Sequence, residues 1–132
     1  MTKNPSPPCP CGSGKPFAAC CGPCLDGSRP ARDAETLMRS RYTAFTRLDE
    51  AYLLATWHPD TRPPRLDLHE PPLPRWLGLA VKRHEVLAAD RALVEFVARY
   101  KIAGRAYRLH ETSRFALLDG EWLYMDGEQH TA

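Results

Sequence analysis

Apolar positions fall into two regimes from residue 33 onward. Leu37, Met38, Tyr42 and Phe45, with Arg41 beside them, recur at the three-to-four spacing of one helix face. They predict a helix that starts at Asp33, whose carboxylate can cap free backbone N–H groups, with Glu35 suited to the positive end of the dipole. The pattern breaks near Thr46–Leu48. Asp49 then opens a second helix from Glu50 to about Trp57, with Tyr52, Leu53 and Thr56 on one face, and His58-Pro59 ends it because a residue before proline avoids the helical region. From Leu79 the period changes to strands at roughly 79–88, 92–101, 105–118 and 121–126. Asp90-Arg91, Ala103-Gly104 and Asp119-Gly120 are the predicted turns, and Asp-Gly between two apolar runs is the strongest hairpin signal. Helices first and hairpin-linked strands afterwards predict an α+β fold, with the helices on one face of an antiparallel sheet.

Thirteen prolines all lie in residues 5–30 and 59–74. Residues 59–74 are therefore a connection, with one short turn expected at Arg75-Trp76-Leu77. Residues 1–8 read as a loose tail, and 25–32 as a second connection.

The stretch from Cys9 to Gly22 has no pattern of either kind, yet holds four of the five cysteines among Gly, Pro and Ser. Nothing in residues 9–24 would bury free thiols there. A metal ion accounts for them: Cys9-Pro10-Cys11 supplies two sulfurs from one tight turn, and Cys20-Cys21 supplies two more. Zinc suits such a set, and an iron–sulfur cluster also takes four cysteines. Four protein sulfurs leave no open coordination position, which points to a structural ion rather than a hydrolytic one.

Composition adds limits. An apolar share of 43% and a charged share of 26% are those of a globular chain. The formal charge of +2 would fall to zero with four thiolates and one divalent ion, so charge gives no case for nucleic acid. The basic residues Lys82, Arg83, Arg99, Lys101 and Arg108 are spread over strands and balanced by acids. No run approaches the ~20 apolar residues of a membrane helix, and the first residues carry no apolar leader, so the expected location is the cytoplasm, where clustered thiols stay reduced.

The segment Cys9-Pro10-Cys11-Gly12-Ser13-Gly14-Lys15, followed by Cys20-Cys21-Gly22, resembles the SEC-C motif of the SecA translocase tail, including the aromatic at Phe17. That resemblance implies one structural zinc ion held by Cys9, Cys11, Cys20 and Cys21, and a protein partner reached through the zinc motif, in secretion or translation. Cys24 stands outside the motif. Gly12-Ser13-Gly14-Lys15 is not a P-loop, since Cys9 and Pro16 occupy its required Gly and Ser/Thr positions. Cys21-Gly22-Pro23-Cys24 spells a redox tetrapeptide but lacks the strand and helix such a site needs.

Further on, Leu37–Phe45, Tyr52–Pro59, Val94–Tyr100, His110–Phe115 and Gly120–Tyr124 resemble the YchJ-like family of small bacterial proteins, whose main domain is similar to the nuclear transport factor 2-like (SnoaL-like) cone. The resemblance implies residues 1–30 as a zinc knuckle, residues 31–132 as a cone of helices wrapped by a curved antiparallel sheet, and no established activity. Arg41, Tyr42, Trp57, His58, Glu111, Arg114 and Trp122 are candidates for a pocket between helices and sheet, in which a small ligand or a substrate would sit. The plainer reading makes Tyr42, Phe45, Tyr52, Trp57, Phe96, Tyr100 and Trp122 core, pairs Glu111 with Arg41 or Arg114, and leaves His110 facing solvent. Strand parity separates Glu111 from His110 and Arg114. With no complete catalytic set, the leading expectation is a non-enzymatic zinc-binding adaptor.

Overall fold

The computed structural model describes residues 7–130. After a short 3-10 turn at Phe17–Ala19, the chain forms helices α1 (Gly22–Leu25), α2 (Ala34–Thr46) and α3 (Glu50–Ala55), then strands β1 (Arg75–Ala88), β2 (Arg91–Ile102), β3 (Arg105–Leu118) and β4 (Glu121–Gln129). The strands pair in sequence order as one antiparallel meander. The class is α+β, as the order of periodicities predicts.

Both longer helices start where their caps are. Asp33 Oδ1 accepts the N–H of Thr36 at 2.7 Å, and Asp49 Oδ1 that of Tyr52 at 3.1 Å. Ala103-Gly104 and Asp119-Gly120 all have positive φ, the geometry of the tight hairpin turn whose twist matches that of its strands. Register shifts in β1 near Gly78, Lys82 and Leu87, and between β3 and β4 at Arg114/Phe115, bend the sheet around the helices. α2 lays Leu37, Met38 and Tyr42 against Ala92, Val94, Phe96 and Ala98 of β2 and Phe115 of β3, all buried.

Three boundaries differ from the periodicity reading. β1 begins at Arg75, so Arg75-Trp76-Leu77 is extended rather than a turn. Trp76 gains ring contacts to Tyr42, Phe45 and Tyr100 by continuing the strand, and it pairs with Tyr100 in the β1–β2 ladder. α3 ends at Ala55, because the next residues switch to β4: the Tyr124 N–H donates to Thr56 O and the His58 N–H to Tyr124 O, each at 2.8 Å. β4 runs three residues past the predicted Asp126.

The cysteine segment is not a separate lobe. Cys9, Cys11 and Cys21 belong to the same buried cluster as Leu37, Tyr42 and Phe96. Arg39 of α2 donates to Cys11 O at 2.9 Å, Arg47 lies over the Phe17 ring at 4.6 Å, and Thr43 Oγ1 sits 3.7 Å from Cys9 Sγ.

Candidate metal centre and the concave face

The hook that carries the first two sulfurs is closed by its own backbone. Pro8 bridges Pro16, the Cys9 N–H donates to Lys15 O at 2.9 Å, and the Gly12 N–H to Cys9 O at 3.2 Å. Gly12 holds φ +78°, and a Cβ there would stand 3.0 Å from Leu79 O of β1, so glycine is needed twice over. Past the 3-10 turn, Cys20 and Cys21 enter α1. A Cβ on Gly22 would lie 2.9 Å from Phe17 O, so Gly22 lets the two halves of the knuckle close together.

The four Sγ atoms of Cys9, Cys11, Cys20 and Cys21 all lie within 4.8 Å of one another. Cys11 and Cys20 are 3.6 Å apart, Cys20 and Cys21 4.0 Å. A tetrahedral zinc with Zn–S near 2.3 Å sets its sulfurs about 3.8 Å apart. The observed separations bracket that figure, so the donor set and its geometry fit a metal ion. Cys9, Cys11 and Cys21 are buried, while Cys20 is half-buried and accepts company from Ser13 Oγ at 3.1 Å. Cys24 is buried as well but lies outside the four-sulfur group. Burial pushes its thiol up.

Protonation follows from crowding. The Cys21 thiol hydrogen-bonded to Cys11 holds the Cys11 thiol down at about 4. The same contact, with burial, pushes Cys21 up, and burial pushes Cys20 up. One thiolate therefore forms readily, and its charge keeps neighbouring thiols protonated. Only a cation at the centre lets all four ionise together.

The seven pocket candidates divide. Arg41, Tyr42, Trp57, Glu111 and Trp122 face the space between helices and sheet. Arg41 is 5% exposed and fills that space: Nη1 donates to Leu53 O and to Thr56 Oγ1, each at 2.7 Å, and the guanidinium lies 5.1 Å from the Trp57 ring centre and 4.6 Å from that of Tyr124. Burial lowers its pKa to about 10. Tyr42 is core, edge-on to Trp76. The Glu111 carboxylate accepts from Ser113 at 2.6 Å and from the Tyr124 hydroxyl at 3.4 Å. It occupies the place that a side chain on Gly127 would take. Glu111 forms no ion pair with Arg41 or Arg114. Arg114 pairs instead with Asp126 on the opposite face, at 2.6 Å. His58 closes the turn after α3, accepting the Asp60 N–H at 3.1 Å, and is not part of the concave set.

Two clefts flank the knuckle. One, of about 310 Å³, runs between α1, α3 and β4 past Leu37, Tyr52 and Trp122. The other, of about 500 Å³, runs past Cys20, Ser13, Lys15, Arg29, Arg32 and Arg39, with Asp33 and Glu35 at one side. Neither is lined by Arg41 or Glu111. Sequence reasoning missed the second cleft, because its cations come from the hook, the connection and α2. Tyr124 was also missed as the partner of both Arg41 and Glu111; its place two residues from Trp122 on β4 was the available signal.

A four-cysteine knuckle buried against helices on the concave side of an antiparallel sheet defines the class: a SEC-C motif joined to a cone-type α+β domain. Residues 8–23 match the family model described as the SEC-C motif, and residues 33–127 match that described as "YchJ, middle NTF2-like domain". The chain belongs to the YchJ-like family. A protein of Polaromonas naphthalenivorans called UPF0225 protein is 55% identical over 134 residues, covering 92% of this chain and 97% of that one. A UPF0225 protein of Ralstonia nicotianae is 52% identical, covering 94% and 92%. Among solved structures, a SEC-C motif containing protein from Rhodopseudomonas palustris superposes with a TM-score of 0.82 at 35% identity, covering 93% of this chain and 98% of that one. One from Psychrobacter arcticus gives 0.74 at 26% identity, covering 96% and 84%. No helix among the described residues is long and apolar enough to cross a membrane.

Proposed function

We propose that this protein is a zinc-stapled, non-enzymatic adaptor: Cys9, Cys11, Cys20 and Cys21 hold one structural zinc ion, and the surface beside Cys20 docks another protein. The observation that carries the reading is the convergence of four sulfurs within 4.8 Å inside a core shared with α2 and β2. Such a site has no free coordination position for a substrate or water. The ion would fix the hook across α2, where Arg39, Thr43 and Arg47 already hold it. The exposed edge of the site opens on the cleft bearing Lys15, Arg29, Arg32 and Arg39, which suits an acidic segment on the partner.

A small ligand or substrate in the cone gains less support. Arg41 packed between Trp57 and Tyr124 takes up the space such a ligand needs.

Native mass spectrometry of the full chain should find one zinc, absent from Cys20→Ser/Cys21→Ser. Pull-downs with the two proteins should differ in the partners retained. A chain without bound metal would overturn the zinc reading, and identical partner lists the adaptor reading.

A further inference from the structure

The outer face of the sheet carries a cluster the proposed function leaves unused. Glu95 of β2 and His110 of β3 sit diagonally across one strand pair, where Glu95 faces Thr112 and His110 faces Val97. Both point away from the helices. His110 Nε2 meets Glu95 Oε2 at 2.6 Å. His130 follows the end of β4, and its N–H donates to His110 O at 2.8 Å, continuing the ladder by one residue. That bond lays the two imidazoles face to face, 4.2 Å apart and 21° from parallel. Thr112 Oγ1 holds His130 Nε2 at 2.7 Å. One ligand atom each from Glu95, His110 and His130 lies within 4.8 Å of the others.

We propose that Glu95, His110 and His130 form a second, solvent-facing site for a divalent transition-metal ion, separate from the four-cysteine centre. Two imidazoles and a carboxylate are the donors of zinc, cobalt, nickel and copper sites. Metal–ligand bonds near 2.0–2.1 Å place such donors about 3.3 Å apart, so the triad closes around an ion when one imidazole swings out of the stack and turns its in-plane lone pair toward the other two donors. The ion takes the place of the proton shared between His110 and Glu95. Thr112 orients the His130 ring, as outer partners of metal ligands do. Glu128 faces Thr112 in register and adds negative charge nearby. Arg83 works against the site: its Nε lies 3.5 Å from Glu95 Oε1, but its Nη1 is also held by Glu85 at 2.8 Å, so it can turn to Glu85 alone when a cation arrives. Three protein ligands leave room for water or a further donor, unlike the closed cysteine site.

The test is isothermal titration of zinc into the tag-free full chain already carrying one equivalent, with metal stoichiometry checked by native mass spectrometry. A second, weaker equivalent is expected. Loss of an outer-shell partner of a metal site costs roughly 10–100-fold in affinity, so His110→Ala and Glu95→Gln should each weaken the second equivalent by at least ~10-fold. The first equivalent should stay bound, and His58→Ala and His69→Ala should bind as wild type. Circular dichroism controls for folding, and Glu95→Gln keeps the side-chain shape. Substoichiometric copper(II) should broaden the ring proton signals of His110 and His130 before those of the other histidines. Absence of a second equivalent at large molar excess would overturn the proposal, as would its full retention in His110→Ala/His130→Ala.

Discussion

Arg41 is the place where a structural and a ligand-binding role for the concave face make opposite predictions. Replacing it with methionine keeps the length of the stem and removes the charge. Four contacts are lost. The bond to Leu53 O is charge-assisted and leaves a buried carbonyl with less to bind, a loss of about 2 kcal/mol. The bond to Thr56 Oγ1 is worth about 1 kcal/mol, because that hydroxyl keeps its own bond to Tyr52 O at 2.8 Å. The stacking on Trp57 and Tyr124 adds about 1 kcal/mol each. Against this total of about 5 kcal/mol stands the cost of burying the charge. A pKa lowered from 12.5 to about 10 corresponds to about 3 kcal/mol. That cost is present in full below pH 10, where the folded and unfolded chains both carry the proton, so it does not vary around neutrality. The net expectation is a loss of about 2 kcal/mol for Arg41→Met, or about 5–10 °C in Tm for a chain of this size. Arg41→Ala also leaves a cavity, which brings the loss to about 4–5 kcal/mol. Urea melts of the two variants, followed by far-UV circular dichroism, measure both. A residue retained for a ligand at the expense of stability would behave otherwise: its removal would stabilise the fold. Stabilisation by more than about 1 kcal/mol in Arg41→Met would refute the reasoning that Arg41 is there to pack.

Two further predictions concern the frame of the metal centre. Asp33→Ala should cost about 1 kcal/mol, the usual worth of an N-cap. The Asp33 carboxylate is pushed up by burial but pulled further down by the Thr36 N–H and hydroxyl, so its pKa is depressed in the fold. The stability it adds is therefore present above the ordinary carboxylate range and is lost as pH falls through the depressed value. In acid titrations the difference between wild type and Asp33→Ala should shrink as pH falls below the ordinary carboxylate range and vanish once the Asp33 carboxylate is protonated in the fold, and a difference that persists in strong acid would point to a role other than capping. Gly22→Ala places a Cβ against Phe17 O and the Phe17 ring, which must spread the two cysteine pairs. Competition with a chromogenic chelator should show zinc released earlier than from wild type, and unchanged retention would mean the knuckle can relax around a methyl group.

The elements and the four sulfurs were legible in the sequence because their causes are local. Helix period, Asp caps, Asp-Gly turns and the Cys-x-Cys…Cys-Cys spacing each depend on residues within a dozen positions. The start of β1 was not legible, because Trp76 is extended only in the company of Tyr42, Phe45 and Tyr100, which lie far along the chain. Parity along β3 correctly set Glu111 apart from His110 and Arg114, but it could not tell which face was inner. That depends on which side the helices pack. The result is that Glu111 meets Ser113 and Tyr124, Arg114 meets Asp126, and His110 meets Glu95 and His130. The Cys-x-Cys…Cys-Cys spacing alone marked Cys9, Cys11, Cys20 and Cys21 as one candidate ligand set, because each pair comes from a single tight turn. That Cys9, Cys11 and Cys21 are buried in the core built on α2 and β2 follows from the folded chain and not from their own segment, because burial is a property of what the rest of the chain brings to a residue.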